Sequence, residues 1–274
     1  MNAVFLMTAS HLQYVQPYES RHSKVVLDQL SQVLPNFRAA LGALPSNKLG
    51  YGDALMACSM LLLQYSWKYP SEVMQDIYAE NDGWDTMLGH YEGVRNIVME
   101  FWDMERGGSR FTTFLIYSPR ISIDRHLENT KSPPDIEACF EHCLSCTKIS
   151  TDQGKSLDCC TEVSRRLIPI WRALRLCNGG LGAPNLLLDV ARYLFTLPST
   201  LPSGFVELTH GKDGRYQLIL LYYFAAISRL PSERFWWMRG RAIHMFETIL
   251  LRLKDKCEEC TRMASELFNG EDNS

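Results

Sequence analysis

Residues 51–67, YGDALMACSMLLLQYSW, are the stretch that decides the fold class of this chain. From Ala54 to Trp67 the side chains are apolar nearly all round the helix that this spacing would form. A helix of that kind is normally buried on most of its sides. The segment therefore predicts the central helix of a helical domain, with Asp53 as its N-cap.

Helical periodicity continues on both sides of this segment, whereas strand-like alternation is nearly absent. Turn residues such as proline, glycine and asparagine separate one periodic run from the next. The other eight predicted helices are Ala3–Val15, Ser23–Leu44, Trp84–Met104, Ile136–Ile149, Leu157–Cys177, Asn185–Leu197, Arg215–Leu230 and Glu233–Lys256. Pro35 and Pro169 lie inside two of these runs and are expected to bend them.

Three stretches are less regular. Glu72–Tyr78 favours a short helix, Arg106–Ser132 is expected to be a mobile loop, and Pro198–Gly204 a linker. The pattern predicts an all-α fold, a single multi-helix domain of orthogonal or bundle-like arrangement with about nine helices. This domain should span residues 1–269, and residues 270–274 should form a polar C-terminal tail.

Composition excludes several classes of protein. The chain has 274 residues, 46% of them hydrophobic and 22% charged, which argues against disordered, collagen-like and coiled-coil proteins. A net charge of −3 argues against a generally basic nucleic-acid binder. The N-terminus lacks a secretory pattern, and the longest apolar run, Leu218–Ile227, falls short of the ~20 residues that span a bilayer. We expect an intracellular protein with reduced thiols and no membrane span.

Zinc binding is the first chemistry that the nine cysteines suggest. Two C-x-x-C pairs occur, Cys143/Cys146 and Cys257/Cys260. However, more than a hundred residues separate them, whereas compact zinc modules place about 15–20 residues between pairs. Cys139 extends the first pair to the i, i+4, i+7 spacing of a core face, and His142 points off that face. These features favour buried structural cysteines, and we predict no metal ligands and no cofactor.

The common catalytic motifs are absent from the sequence. The sequence contains no G-x-S-x-G, no H-E-x-x-H, no Walker loop and no kinase set. His11 lies on a mostly apolar helix, which is more typical of a hydrogen-bonded core residue than of a catalyst. We therefore predict no catalytic residue. An enzyme would need His11 or His90 in a pocket with other polar groups.

An aromatic cluster, Phe235–Met238, marks the last long helix. Two adjacent tryptophans diverge by about 100° on a helix, so Trp236 and Trp237 either both pack in the core or help to wall an apolar pocket. In the second interpretation, Ala54–Trp67 and Phe235–Phe246 contribute to one cavity. The candidate ligand-lining residues are Leu62, Tyr65, Trp236 and Met245.

Four segments occur in an order that resembles a known family. They are FLMTASHLQYV, YGDALMACSMLLLQYSW, TMLGHYEGVRNIV and LILLYYFAAISRLPSERFWWMRGRA, and the resemblance covers about residues 3–255. Together they resemble the C-terminal regulatory domain of fungal zinc-binuclear-cluster transcription factors, especially the sterol uptake control type. Each motif is loose and hydrophobic, so the resemblance depends on their order and spacing.

The resemblance implies an all-helical transcription-regulatory domain that senses a lipid, a sterol in the best-known members. It implies a nuclear protein that shuttles from the cytoplasm, contacts the transcription machinery and can pair as a homodimer. No six-cysteine cluster is present, so direct DNA contact by this chain is not expected. Two alternatives stay open: an accessory protein or enzyme of a fungal biosynthetic pathway, and a ligand-free helical interaction scaffold.

Overall fold

The computed structural model describes residues 2–42, 51–68, 84–104, 118–128, 130, 134–149, 154–180, 185–208 and 214–269. Within these ranges every regular element is a helix and no strand occurs, which confirms the all-α prediction. The chain divides into two compact units, residues 1–117 and residues 118–274. The single domain over residues 1–269 stays a prediction, and the expected tail lies outside the described residues.

Four described helices form the first unit. They are α1 (Asn2–Val15), α2 (Ser20–Gly42), α3 (Tyr51–Trp67) and α4 (Trp84–Met104). Helix α3 packs against each of the other three, as its apolar sequence predicted. A small apolar cluster joins α1 to α2 through Leu6, Ala9 and Val26. Asp53 lies in the first turn of α3 and not at its N-cap, because the helix begins two residues earlier.

Helix α1 buries a face that excludes His11. Its buried residues are Ala3, Leu6, Ala9 and Ser10, whereas the expected core residue His11 is exposed. Apolar residues occur on every side of α1, so periodicity alone does not select the inner face. The choice is made by contact with α2 and α3.

Eight α-helices and one 3-10 turn are described in the second unit. They are α5 (Pro119–Leu127), α6 (Pro134–Ser145), α7 (Lys155–Asn178), α8 (Leu186–Thr196), the 3-10 turn Leu197–Thr200, α9 (Ser203–Glu207), α10 (Gly214–Ser228), α11 (Ser232–Leu253) and α12 (Glu258–Asn269). Helix α10 packs along α11 and also contacts α6, α7, α8 and α12. All its residues except Gln217 and Ser228 are buried.

The sequence prediction missed three short or C-terminal helices. Residues of α5 were assigned to a mobile loop, those of α9 partly to a linker, and α12 was not predicted. Glu72–Tyr78 lies outside the described residues. With twelve α-helices in the described ranges, the count of about nine is not confirmed, and the orthogonal arrangement stays a prediction. None of the described helices combines the length and the apolar character that crossing a membrane requires.

Candidate functional site

A cluster of one histidine and three cysteines lies where α6 meets the beginning of α12. His142 is in the last turn of α6, and Cys146 directly follows that helix. Cys257 precedes α12, and Cys260 lies in its first turn. Helices α6 and α12 pack against each other, and both contact α10. Residues that are far apart in the sequence of the second unit are thereby brought together.

The ligand atoms of this cluster are close enough to share one ion. The imidazole nitrogen of His142 and the Sγ atoms of Cys146, Cys257 and Cys260 all lie within 4.8 Å of one another. Cys146 Sγ and Cys257 Sγ are 3.6 Å apart. In a tetrahedral zinc site with Zn–S bonds of about 2.3 Å, two sulfurs lie about 3.8 Å apart. The cluster is therefore near the size of a four-coordinate metal site.

Burial and hydrogen bonding distinguish these side chains from surface groups. The three cysteines are buried, and none of the chain's nine cysteines forms a disulfide. His142 is half-buried, and its Nε2 is buried without a normal hydrogen bond to any atom in the described part of the chain. A buried polar atom of this kind costs free energy unless something else binds it.

Backbone amides three residues further on lie beside two of the thiols. The amide of Cys260 hydrogen-bonds Cys257, and the amide of Ile149 donates to the carbonyl oxygen of Cys146 at 3.3 Å. Burial raises the pKa of Cys257, but the Cys260 amide and the neighbouring thiols and imidazole outweigh it and lower that pKa to about 7. Burial is the main cause that raises the pKa of Cys146 to about 11. Among these thiols, Cys257 is thus the one whose thiolate is stabilised.

Cys143 belongs to the layer between this cluster and α10. Its thiol donates to Tyr222 Oη at 3.4 Å, and the Tyr222 ring lies 4.9 Å from the ring of Phe140. Burial, followed by the nearby thiols of Cys143 and Cys139, raises the pKa of Tyr222 well above its usual value. Cys143 therefore anchors α6 to the buried helix α10.

This cluster was not predicted from the sequence, because more than a hundred residues separate the two C-x-x-C pairs along the chain. The first pair is divided: Cys146 joins the cluster, whereas Cys143 bonds to Tyr222. His142 takes the fourth position, which corrects the prediction that it points away from the cysteines. The signal available in the sequence was the i, i+4 spacing of His142 and Cys146 combined with Cys257-x-x-Cys260.

The four predicted ligand-lining residues fall in two different units. Leu62 and Tyr65 are half-buried and pack against the apolar cluster of Leu6, Ala9 and Val26. In the second unit, Met245 is buried and Trp236 is half-buried on α11. The prediction that all four line one cavity stays a prediction.

The residues flanking Trp236 show how the aromatic cluster is arranged. Phe235 departs from helical geometry (φ −120°, ψ 33°) and bends α11 just before the tryptophans. Trp237 meets Phe195 of α8 edge to face, with ring centroids 5.0 Å apart. Phe246 stacks on Phe268 of α12 at 4.1 Å. Trp237 therefore holds α11 against α8, and Phe246, two turns beyond the cluster, holds it against α12.

The two histidines of the enzyme hypothesis are both exposed. His11 is on the surface of α1, where its ring lies 6.5 Å from that of Tyr14, and His90 is on the surface of α4.

Comparison with known proteins gave no relatives. No family model, no curated protein and no solved structure matches the chain.

Proposed function

We propose that this chain is the regulatory module of a fungal transcription factor that senses a sterol-like or other apolar effector and controls transcriptional activation. The observation that carries the proposal is the order of the four segments that resemble the sterol uptake control type. The all-helical structure of the described residues is compatible with it. The module would act in the nucleus, contact the transcription machinery and make no direct DNA contact.

The positions of Leu62 and Tyr65 support an apolar effector. Both are half-buried at the edge of an apolar cluster instead of being sealed inside it. Burial raises the pKa of Tyr65, so its hydroxyl lies in a poorly solvated place. Apolar walls with one polar group are typical of sites for small lipophilic molecules, in which burial at about 25 cal/mol/Å² supplies affinity.

Sterol binding is tested by titrating the purified chain with a fluorescent sterol, dehydroergosterol, and competing with ergosterol. We expect saturable binding that weakens about tenfold or more in Leu62→Ala or Tyr65→Ala. Met99→Ala on α4 and Leu251→Ala on α11 are matched controls, because both side chains are exposed, at 60% and 72%. Absence of sterol binding, together with no co-purified lipid in native mass spectrometry, would remove the effector from the proposal.

The transcriptional part is tested separately. The chain is fused to an unrelated DNA-binding domain in yeast, and a reporter gene is measured with and without sterol depletion. We expect reporter output to change with sterol level, because effector occupancy shifts the module between two states. A reporter that stays silent in both conditions, with the fusion protein present in the nucleus, would contradict the transcriptional role.

A second candidate function, self-association, is favoured by the exposed apolar side chains of the first unit. Nine of the thirteen exposed large hydrophobic residues in the described ranges belong to α1, the turn after it, or α2. They are Val4, Phe5, Leu12, Tyr14, Val15, Tyr18, Val25, Leu27 and Leu34. Concentrations of exposed apolar surface mark interaction sites.

Light scattering coupled to size-exclusion chromatography measures this association. A homodimer is expected, which Val15→Lys and Leu27→Lys should convert to monomer. Met99→Lys on α4 is the control, because Met99 is 60% exposed and lies outside α1 and α2. A monomeric wild-type chain at high concentration would exclude the homodimer.

A further inference from the structure

We propose that His142, Cys146, Cys257 and Cys260 bind one Zn²⁺ ion, which clamps the C-terminal helix α12 to α6. This inference does not depend on the sensing function proposed above. It rests on four side chains whose ligand atoms lie within 4.8 Å of one another in a buried part of the second unit.

The donor set selects the metal. Three thiolates and one imidazole are soft or borderline ligands, which favour zinc over magnesium, calcium or manganese. Three cysteines with one histidine is a common ligand set of structural zinc sites. The 3.6 Å between the Sγ atoms of Cys146 and Cys257 matches the ligand spacing around such an ion.

The surrounding groups fit a bound cation. Nε2 of His142 is buried with no normal hydrogen bond among the described residues, which suits a nitrogen that faces a metal. The amide of Cys260 donates to the sulfur of Cys257, as outer hydrogen bonds often do around zinc thiolates. Cys143 contacts Cys260 from outside the cluster and donates its own thiol to Tyr222 Oη.

Four protein ligands fill a tetrahedral site, so no position remains for water or substrate. The ion would therefore stabilise structure and would not catalyse a reaction. Cys146 and Cys257 are 111 positions apart, and linking them closes a long loop of the chain. The four ligands meet in the folded chain, so the ion binds the folded state and its binding free energy adds to the stability of that state. Zinc would thereby stabilise the docking of α12 on α6 and α10.

The first experiment measures the metal in the full chain, purified under reducing conditions without chelator. Elemental analysis should find about one zinc per chain. Replacing zinc with Co²⁺ should give the intense visible bands of tetrahedral thiolate coordination. Failure of the chain to retain zinc and to bind added Zn²⁺ or Co²⁺ would overturn the proposal, as would a Cys146–Cys257 disulfide in the reduced preparation.

Variants then test which residues are ligands. Cys257→Ser, Cys260→Ser and His142→Ala should each lower zinc content at least tenfold. Cys143→Ser tests the neighbouring thiol, which contacts Cys260 but is not one of the four clustered residues and bonds to Tyr222, and it should keep the metal. Cys159→Ser, a half-buried cysteine outside the cluster, should also keep it. Loss of zinc in Cys143→Ser with retention in His142→Ala would refute this ligand set.

Thiol alkylation of the wild-type chain covers the case in which a ligand variant fails to fold. Mass spectrometry after treatment with N-ethylmaleimide should show Cys146, Cys257 and Cys260 protected until a zinc chelator is added. Cys58 and Cys177, both half-buried and outside the cluster, should react equally with and without the chelator. Equal reactivity of the cluster cysteines in both conditions would contradict zinc binding.

Discussion

Single hydrogen bonds and close contacts fix how individual residues pack in both units. Trp67 Nε1 donates to Tyr91 Oη at 2.7 Å, and the two side chains are buried at the contact of α3 with α4. In the second unit, Gly214 begins α10 directly against the backbone of Ile149. The first contact requires the hydroxyl group of Tyr91, and the second requires that residue 214 has no side chain.

Tyr91→Phe removes the hydrogen bond to Trp67 without opening a cavity. We expect the free energy of unfolding to fall by about 1–2 kcal/mol, because a buried hydrogen bond is lost. Urea denaturation followed by tryptophan fluorescence measures the change. Tyr18→Phe is the matched control, since Tyr18 is 99% exposed and its replacement should leave stability unchanged. Equal stability of the two variants would show that the buried bond contributes nothing.

Gly214→Ala should destabilise the second unit. A Cβ at this position would lie 2.5 Å from the carbonyl oxygen of Ile149, and backbone cannot move aside as a flexible side chain can. We expect a loss of about 1–3 kcal/mol, measured by thermal unfolding. Gly93→Ala on α4 has open space around it and should be neutral or stabilising by about 1 kcal/mol. A neutral Gly214→Ala would contradict the close approach.

At the scale of helices, the contact between Lys68, at the end of α3, and Gln13 of α1 makes stability depend on pH. Lys68 follows α3 and donates from Nζ to Gln13 Oε1 on α1. Burial lowers the pKa of Lys68 from its ordinary value of 10.5 to about 8. Between pH 8 and 10.5 the unfolded state therefore binds more protons than the folded state, and stability rises with pH in this window.

Lys68→Met removes this titration. The free energy of unfolding of the variant, compared with that of the wild type, should be higher at pH 7 than at pH 10. At pH 7 the wild type is destabilised by its buried charged amine, and this destabilisation disappears as Lys68 loses its proton. Denaturation of both proteins at several pH values measures the difference. Lys24→Met on α2 serves as the control, with the same change in charge. A stability difference that does not vary with pH would refute the burial of this amine.

On the scale of the whole molecule, residues 118–274 form a compact unit around a helix that is buried on all sides. Helix α10 packs against α6, α7, α8, α11 and α12, which all belong to this unit. We predict that residues 118–274, expressed alone in the presence of zinc, fold into a helical protein with one cooperative thermal transition. Circular dichroism tests this. A non-cooperative melt, or low helicity, would show that the remaining residues are needed.

The sequence by itself determined that the described chain is helical and where most of its long helices lie. Trp84–Met104 matches the prediction residue for residue, because a strong apolar period is a local property of the chain. The short helix Pro119–Leu127 was missed, since its few turns give little periodic signal.

Only the tertiary structure decided which helix faces are buried and which cysteines meet. Helix α1 has apolar residues on all sides, so its inner face depends on the helices that pack against it. Cys146 and Cys257 are 111 positions apart, and they come together because α6 and α12 both dock on α10. Proximity across such a distance results from packing, which no local pattern in the sequence encodes.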